Sequence, residues 1–538
     1  MVHIILLQYS VNRRKFRIRK SSWDNGEEDK RDKNVFKVFS SKTHLPIASH
    51  QINTTNICLN EGWVEQDPID ILNKIKETIS VTCDKLKSMN ISPECVATIG
   101  ITNQRETTLV WDKITGKPLY NAIIWMDVRT EGIVDRFLSK DIPHFTTINE
   151  KKQYLQSKSG LTMNPYFSVF KLIWLIENVP EVMSAVKEKR CMFGTMDTWI
   201  IWSLTGGVNS GVHITDVTNA SRTMLMNIHS LNWDENLIEY FSIPNGVLLP
   251  EIRSCSEVYG YMFDGPLFGK PISGCVGDQQ AALIGQMCFE AGEAKSTFGT
   301  GCFLLYNTGH KAVISKHGLL TTVAYKLGKN VDAVYALEGS VAVAGAAVKW
   351  LKDNLGIISN YDHLSTLINS IPDTNGVHFV PAFSGLYAPY WKSDARGTIV
   401  GLTLDSTDAH LARATLEGVG FQTKDVLESM QWDAGHLITT LKVDGGMTIS
   451  NGFLQILANL CGIPVVRPKM VETTAMGAAL AAGIAIGLWK IQSIKSISDT
   501  FLSSISKQEQ LNKYNEWKNA VSRSIGWNND ESEDIEEF

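Results

Sequence analysis

A chain of 538 residues exceeds what one hydrophobic core usually serves, so two domains of roughly 250 residues each are expected. A hydrophobic fraction of 44%, a charged fraction of 20% and a net charge of −5 are those of an ordinary soluble protein, and with no basic surplus to neutralise a duplex they exclude a nucleic-acid binder. The nine cysteines show no C-x-x-C pair and no ligand spacing, which argues against a zinc site or a disulfide framework and for a reducing compartment.

In chain order, the first thirty-odd residues differ from all that follow. Val2 to Leu7 is apolar but short, and basic residues follow it instead of preceding it, the wrong order for a secretory signal. Arg13 to Lys20 is dominated by Arg and Lys, and Asp24 to Lys33 is dense in both signs. Residues 1–34 therefore read as an atypical charged segment, solvated or irregular. Order is expected from Val35. Asp67 before Pro68 is a helix start, with Ile71, Ile75, Ile79 and Leu86 recurring near helical spacing. Val96–Thr102, Thr107–Trp111 and Ala122–Trp125 are short, apolar and rich in branched or aromatic residues, as buried strands of a mixed sheet are. Helices and strands alternate to about Trp489, which makes the class α/β. The glycine-bearing stretch Phe289–Gly301 is the candidate passage between a first domain, 35–288, and a second, 289–527. Residues 528–538 form an acidic tail without periodicity, expected to be disordered. No stretch is long enough to span a membrane, and the sequons at Asn53, Asn90 and Asn219 read as ordinary polar residues.

Four places offer chemistry. Asn103 to Glu106 follows a buried-type strand, where ligands of α/β proteins gather. There the donor fork of Arg105 and the acceptors of Glu106 suit adjacent hydroxyls, or else pair with one another as an internal salt bridge. Asp278 and Gln279 end the strand Ile272–Val276. Asp278 is either a base that takes the proton of an attacking hydroxyl or the cap of the helix beginning at Gln279, and the two roles are compatible. Phe298-Gly-Thr-Gly-Cys302 and Val443-Asp-Gly-Gly446 are glycine turns after strands, where backbone amides can approach phosphate oxygens. Thr474 to Trp489 is rich in Gly and Ala, which permits close helix contact.

Together these residues resemble the FGGY family of carbohydrate kinases, and its glycerol-phosphorylating branch above all, over nearly all of Asn60 to Trp527. The likeness is strongest at Gly62–Pro68, Gly100–Trp125, Phe193–Leu231, Pro271–Thr308 and Pro381–Leu402. Tyr166–Asn178 and Gly385–Glu417 resemble the family's two general motifs. The resemblance implies two actin-like, ribonuclease-H-like domains with ATP in the cleft between them. It implies ATP-dependent phosphorylation of glycerol to sn-glycerol 3-phosphate, feeding glycerol catabolism and glycerolipid synthesis. Arg105, Glu106, Tyr166 and Asp278 are then expected to bond the three hydroxyls with Gln279 beside them, while Trp125 and Phe303 wall the carbon side. Asp278 becomes the base, and Mg²⁺ offsets the charge of the β- and γ-oxygens. Thr300 and Gly345 face the phosphates, Lys349 stands where relatives carry an uncharged polar residue, and Gly446 lies against adenosine, with Ser450 or its neighbour Asn451 four to five positions on. The resemblance also implies a cytoplasmic homodimer or homotetramer.

The chain departs from the family in one place. Members carry a loop close to D-Q-G-T-x-S-x-R between their first strand and a second that matches Phe36–Phe39. Here Glu28-Asp-Lys-Arg-Asp-Lys-Asn34 stands at that place, without glycine or hydroxyl residues, and Asp24-Asn-Gly26 lies too far upstream. A wrongly joined coding sequence, an unusual working loop, or a glycerol- and nucleotide-binding protein impaired in catalysis each accounts for it. The last of these is the alternative function carried forward.

Overall fold

The computed structural model describes residues 3–10, 33–140, 147–491 and 497–527. Two sheets built on one plan organise it. In the first, a meander of His3–Ser10, Lys33–Ser40 and Pro46–Asn53 runs antiparallel; Val96–Asn103 pairs parallel to His3–Ser10, and Pro271–Gly277 parallel to Val96–Asn103. The seven-stranded sheet repeats this. Glu293–Phe298, Cys302–Gly309 and Val334–Val341 form the antiparallel trio, with Leu320–Tyr325 intervening in the chain and pairing on the outer side of Val334–Val341; Thr440–Asp444 pairs parallel to the first strand of the trio, and Val465–Pro468 pairs parallel to Thr440–Asp444. The recurrence of three antiparallel strands followed by parallel ones is the two-domain architecture that the sequence led us to expect.

The N-terminal segment needs correction. His3–Ser10 is the strand between Lys33–Ser40 and Val96–Asn103, so it lies inside the first sheet and not outside the ordered fold. A short apolar run followed by basic residues carried too little pattern to show this. The order expected from Val35 accordingly begins earlier, although Arg13–Lys20, Asp24–Gly26, Glu28–Arg31 and the acidic tail 528–538 lie outside the described residues.

Further elements follow their local chemistry. Asp67 accepts from Ile69 N at 2.8 Å and caps the helix Pro68–Ser88, whose Ile71, Ile75, Ile79 and Leu86 are buried. The strands after it do not share one sheet: Val96–Asn103 belongs to the six-stranded sheet, whereas Thr108–Asp112 and Ala122–Ile123 belong to a second, five-stranded one. The third strand stops at Ile123 because Asp127 N turns back onto Ile124 O, which leaves Trp125 in a turn. Asn219, the third sequon, is fully buried and exchanges two amide hydrogen bonds with Asn103.

The small-residue helix Thr473–Ala485 comes late in the chain but packs on the first domain. A Cβ on Gly477 would stand 1.7 Å from Ala281 O, and one on Gly100 would stand 2.3 Å from Ala478 O. Backbone therefore rides directly on backbone. Its alanines share one core with Val276 and Leu283 of the first domain and Leu305 and Ala336 of the second.

Candidate active site

Asn103 to Glu106 is the link by which the chain leaves one sheet for the other. Thr107 N donates to Arg105 O at 2.8 Å, closing a three-residue turn around Glu106, whose φ is +61°. That conformation is rare for a non-glycine residue and costs free energy, so the surroundings must hold it. They do so through the Glu106 carbonyl, which accepts from Thr108 Oγ1 at 2.9 Å and Ser168 Oγ at 3.2 Å. The turn delivers two buried, oppositely charged side chains to one point. Arg105 gives Nη1 and Nη2 to the two carboxylate oxygens of Glu338 at 2.6 and 2.8 Å, while Arg222 Nε donates to Glu106 Oε1 at 2.5 Å.

The Arg105–Glu106 salt bridge considered from sequence is therefore only a long contact of 4.0 Å from Arg105 Nε. Nε is buried without a hydrogen-bond partner and lies 3.4 Å from Asp278 Oδ1. A buried N–H aimed between two carboxylates is a place for a hydroxyl, which can accept from the nitrogen and donate to an oxygen.

Asp278 starts the helix Asp278–Gly285 directly after the strand Pro271–Gly277. Its Oδ1 accepts from the adjacent Gln279 N at 2.7 Å, but the helix begins at Asp278 itself, with Gly277 at the cap position and no side-chain cap bond, so the capping role considered from sequence is not found; the side chain remains 22% exposed. Burial pushes the carboxyl up to about 6, with the Arg105 guanidinium opposing the shift and Glu106 adding to it. Underneath, Gly277 N donates to Thr218 Oγ1 at 2.9 Å and that hydroxyl donates to Asp216 Oδ2 at 2.6 Å, which fixes the corner bearing Asp278. Gln279 accepts from Lys295 Nζ at 2.5 Å across the domain boundary.

Aromatic groups gather beside these charges. Trp125 meets Tyr166 edge-on with centroids 5.6 Å apart and Phe303 at 6.4 Å. The Arg222 guanidinium, already bonded to Glu106, lies 5.8 Å from the Tyr166 ring centroid, so Tyr166 borders the charged group as well. Burial, then Glu106, pushes its hydroxyl upward, and it stays a protonated donor at neutral pH.

The nucleotide candidates assemble about the glycine turns. Ala344 N and Ala346 N donate to Thr300 O at 2.9 and 3.0 Å, and Gly345 N donates to Gly299 O at 3.0 Å, which locks the turn onto the start of the helix Gly345–Asp353. A Cβ on Gly345 would stand 2.6 Å from Gly299 O, and one on Gly445 would stand 2.4 Å from Phe298 O. Thr300, Gly345 and Gly446 therefore share one close-packed backbone corner. Lys349, in contrast, is exposed and paired with Asp353 of its own helix at 2.5 Å. Ser450 caps the helix Asn451–Cys461 by accepting from Phe453 N at 3.3 Å, and Asn451 opens that helix in an exposed position.

Models of the N-terminal and C-terminal domains of the FGGY family of carbohydrate kinases match residues 35–285 and 294–486. A glycerol kinase of Brucella anthropi is 49% identical over 89% of this chain and 94% of its own length. The chain belongs to the FGGY carbohydrate kinases. A probable glycerol kinase of Dictyostelium discoideum is 47% identical, again over 89% of this chain and 94% of its own. The crystal structure of Plasmodium falciparum glycerol kinase with ADP superposes with a TM-score of 0.86 at 37% identity, covering 98% of both chains.

Within this FGGY kinase, several residues at the site escaped sequence reasoning. Arg222 and Glu338 are single charged residues inside otherwise apolar or mixed runs whose partners stand far away in the chain, and Lys295, in the mixed strand Glu293–Phe298, meets Gln279 of the preceding domain. Lys171 is fully buried and gives its ammonium to the carbonyls of Pro165 and Tyr166 at 3.0 and 2.6 Å; burial lowers it to about 8. Its position in Tyr166–Asn178 was the only signal available. Among the described residues, Asp197, Asp216 and Cys275 bring metal-ligating atoms within 4.8 Å of one another. Both carboxylates there already accept threonine hydroxyls, so they read as a structural support beneath the strand.

Proposed function

We propose that this chain transfers the γ-phosphoryl group of ATP to glycerol, forming sn-glycerol 3-phosphate and ADP. The observation that carries the reading is the unpartnered Arg105 Nε, 3.4 Å from Asp278 and 4.0 Å from Glu106. With Tyr166 it supplies donors and acceptors for a small polyol, and Trp125 limits its length. A site with buried polar groups rejects a substrate that lacks a matching hydroxyl, because those groups would be left unpaired.

In this reading Asp278 accepts the proton of the attacking hydroxyl as its oxygen bonds to phosphorus and the bond from the γ-phosphorus to the bridging oxygen breaks. A carboxyl near 6 is ionised at neutral pH yet basic enough to take a proton. Thr300 and Gly345 face the phosphates and Gly446 the adenosine, whereas Lys349, Ser450 and Asn451 have at most peripheral roles. Magnesium, a hard ion that needs only one or two carboxylates alongside phosphate oxygens and water, would be held chiefly by the phosphate oxygens and water, leaving the Asp278 carboxylate free to take the proton. When bound, that ion offsets charge on the β- and γ-oxygens. The alternative of a catalytically impaired paralogue finds no support in the curated relatives, which are described as glycerol kinases. No helix among the described residues is long and apolar enough to cross a membrane; a cytoplasmic homodimer or homotetramer is carried over from the family.

The test is steady-state kinetics of purified Asp278→Asn beside the parent chain. Turnover should fall by about a thousandfold, with glycerol still bound in calorimetry. Turnover at the parental rate removes Asp278 as the base, and a parent that neither binds nor phosphorylates glycerol removes the substrate.

A further inference from the structure

The side chain that aims Arg105 belongs to the other domain. Glu338 lies in Val334–Val341, an internal strand paired on one side with Leu305 and on the other with Leu320, so its Cα is fixed by two ladders. From there its carboxylate takes both terminal nitrogens of Arg105, at 2.6 and 2.8 Å, and Arg222 Nη2 at 3.4 Å. Gln280 Oε1 adds a weaker contact to Arg105 Nη1 at 3.3 Å. The four groups Glu106, Arg222, Glu338 and Arg105 thus form a buried, charge-alternating and neutral ring whose side chains are at most 3% exposed. Its one loose joint is the 4.0 Å gap between Arg105 Nε and Glu106, beside Asp278.

We propose that Glu338 is the positioning residue of the polyol pocket, setting the plane of the Arg105 guanidinium so that Nε alone faces the substrate. A guanidinium held as a fork on a carboxylate has one orientation, and its remaining N–H has one direction. The same carboxylate steadies Arg222 and through it Glu106, so one second-domain side chain orients two first-domain groups. A plain interdomain salt bridge predicts something different. Losing it would lower stability and disturb both substrates together, whereas a positioning role disturbs glycerol selectively.

The inference rests on the glycerol reading, and the experiment separates their failures. KM for glycerol, KM for ATP and the melting temperature are measured for the parent chain, Glu338→Gln and Glu338→Asp. Aspartate keeps the charge but is too short to hold both nitrogens, so it decides the matter should the glutamine variant not fold. Glu338→Asp should raise the glycerol KM by about tenfold or more and leave the ATP KM within about twofold, since a displaced contact of this kind costs one to two orders of magnitude. A folded Asp variant with parental glycerol KM, or with both KM values raised alike, overturns the proposal. A parent chain that does not phosphorylate glycerol sinks the glycerol reading instead.

Discussion

Burial pushes the carboxyl of Asp278 up to about 6, against the pull of Arg105 and with the help of Glu106. A base must be ionised to act, so kcat/KM should be flat above pH 7 and fall about tenfold per unit below pH 6. The same shift has a stability sign. A carboxyl whose folded value lies above its ordinary 3.8 makes the ionised native state less stable at neutral pH, and that cost fades as pH falls from about 6 toward 4. Asp278→Asn should therefore melt a few degrees higher than the parent chain at pH 7.5, with the difference shrinking by pH 5. An unchanged difference across that range would mean that the carboxyl is not shifted. Arg105, Glu106 and Asp278 could be picked out as candidates because each follows a strand readable by its own composition, and strand ends are where α/β proteins bind ligands. Glu338 was not: a lone carboxylate in Val334–Val341 gains meaning only when Arg105, 233 residues away, is laid against it.

Among elements, the helix Thr473–Ala485 shows what composition reveals and what it omits. Its glycines and alanines announced close packing, but the partner surface could not be read from one chain segment. That partner is the first-domain strand and helix ending and beginning at Gly277–Asp278. Gly477 sits where a Cβ would be 1.7 Å from Ala281 O, a backbone atom with no side-chain freedom to yield. Gly477→Ala should therefore lower stability in urea by about 2 kcal/mol or more, the range of overpacked cores. Gly132, in the helix Glu131–Ser139, has nothing within 4 Å of its would-be Cβ, and Gly132→Ala should be neutral or stabilising by about 0.5–1 kcal/mol. Equal effects at the two positions would contradict the packing described. The strand His3–Ser10 illustrates the opposite case: its place in the sheet comes from pairing with Lys33–Ser40 and Val96–Asn103, and its short run Ile4-Ile5-Leu6-Leu7 carries no such information.

For the whole molecule, the repeated plan of an antiparallel trio plus parallel strands sets two sheets side by side, and the polar candidate site lies where they meet. Arg105, Gln279 and Gln286 come from the first domain, and Glu338, Lys295 and Asp444 answer them from the second. Closure of such a cleft excludes the water that would otherwise compete with a polyol for the phosphoryl group. A site of this geometry should select glycerol as the acceptor. The direct measurement is to incubate the purified chain with ATP, magnesium and equimolar glycerol, xylulose and gluconate, and to identify the phosphorylated product by ³¹P nuclear magnetic resonance. Glycerol 3-phosphate is expected as the dominant product, with little free phosphate. Phosphorylated xylulose or gluconate as the main product, or ATP hydrolysis without transfer, would contradict it.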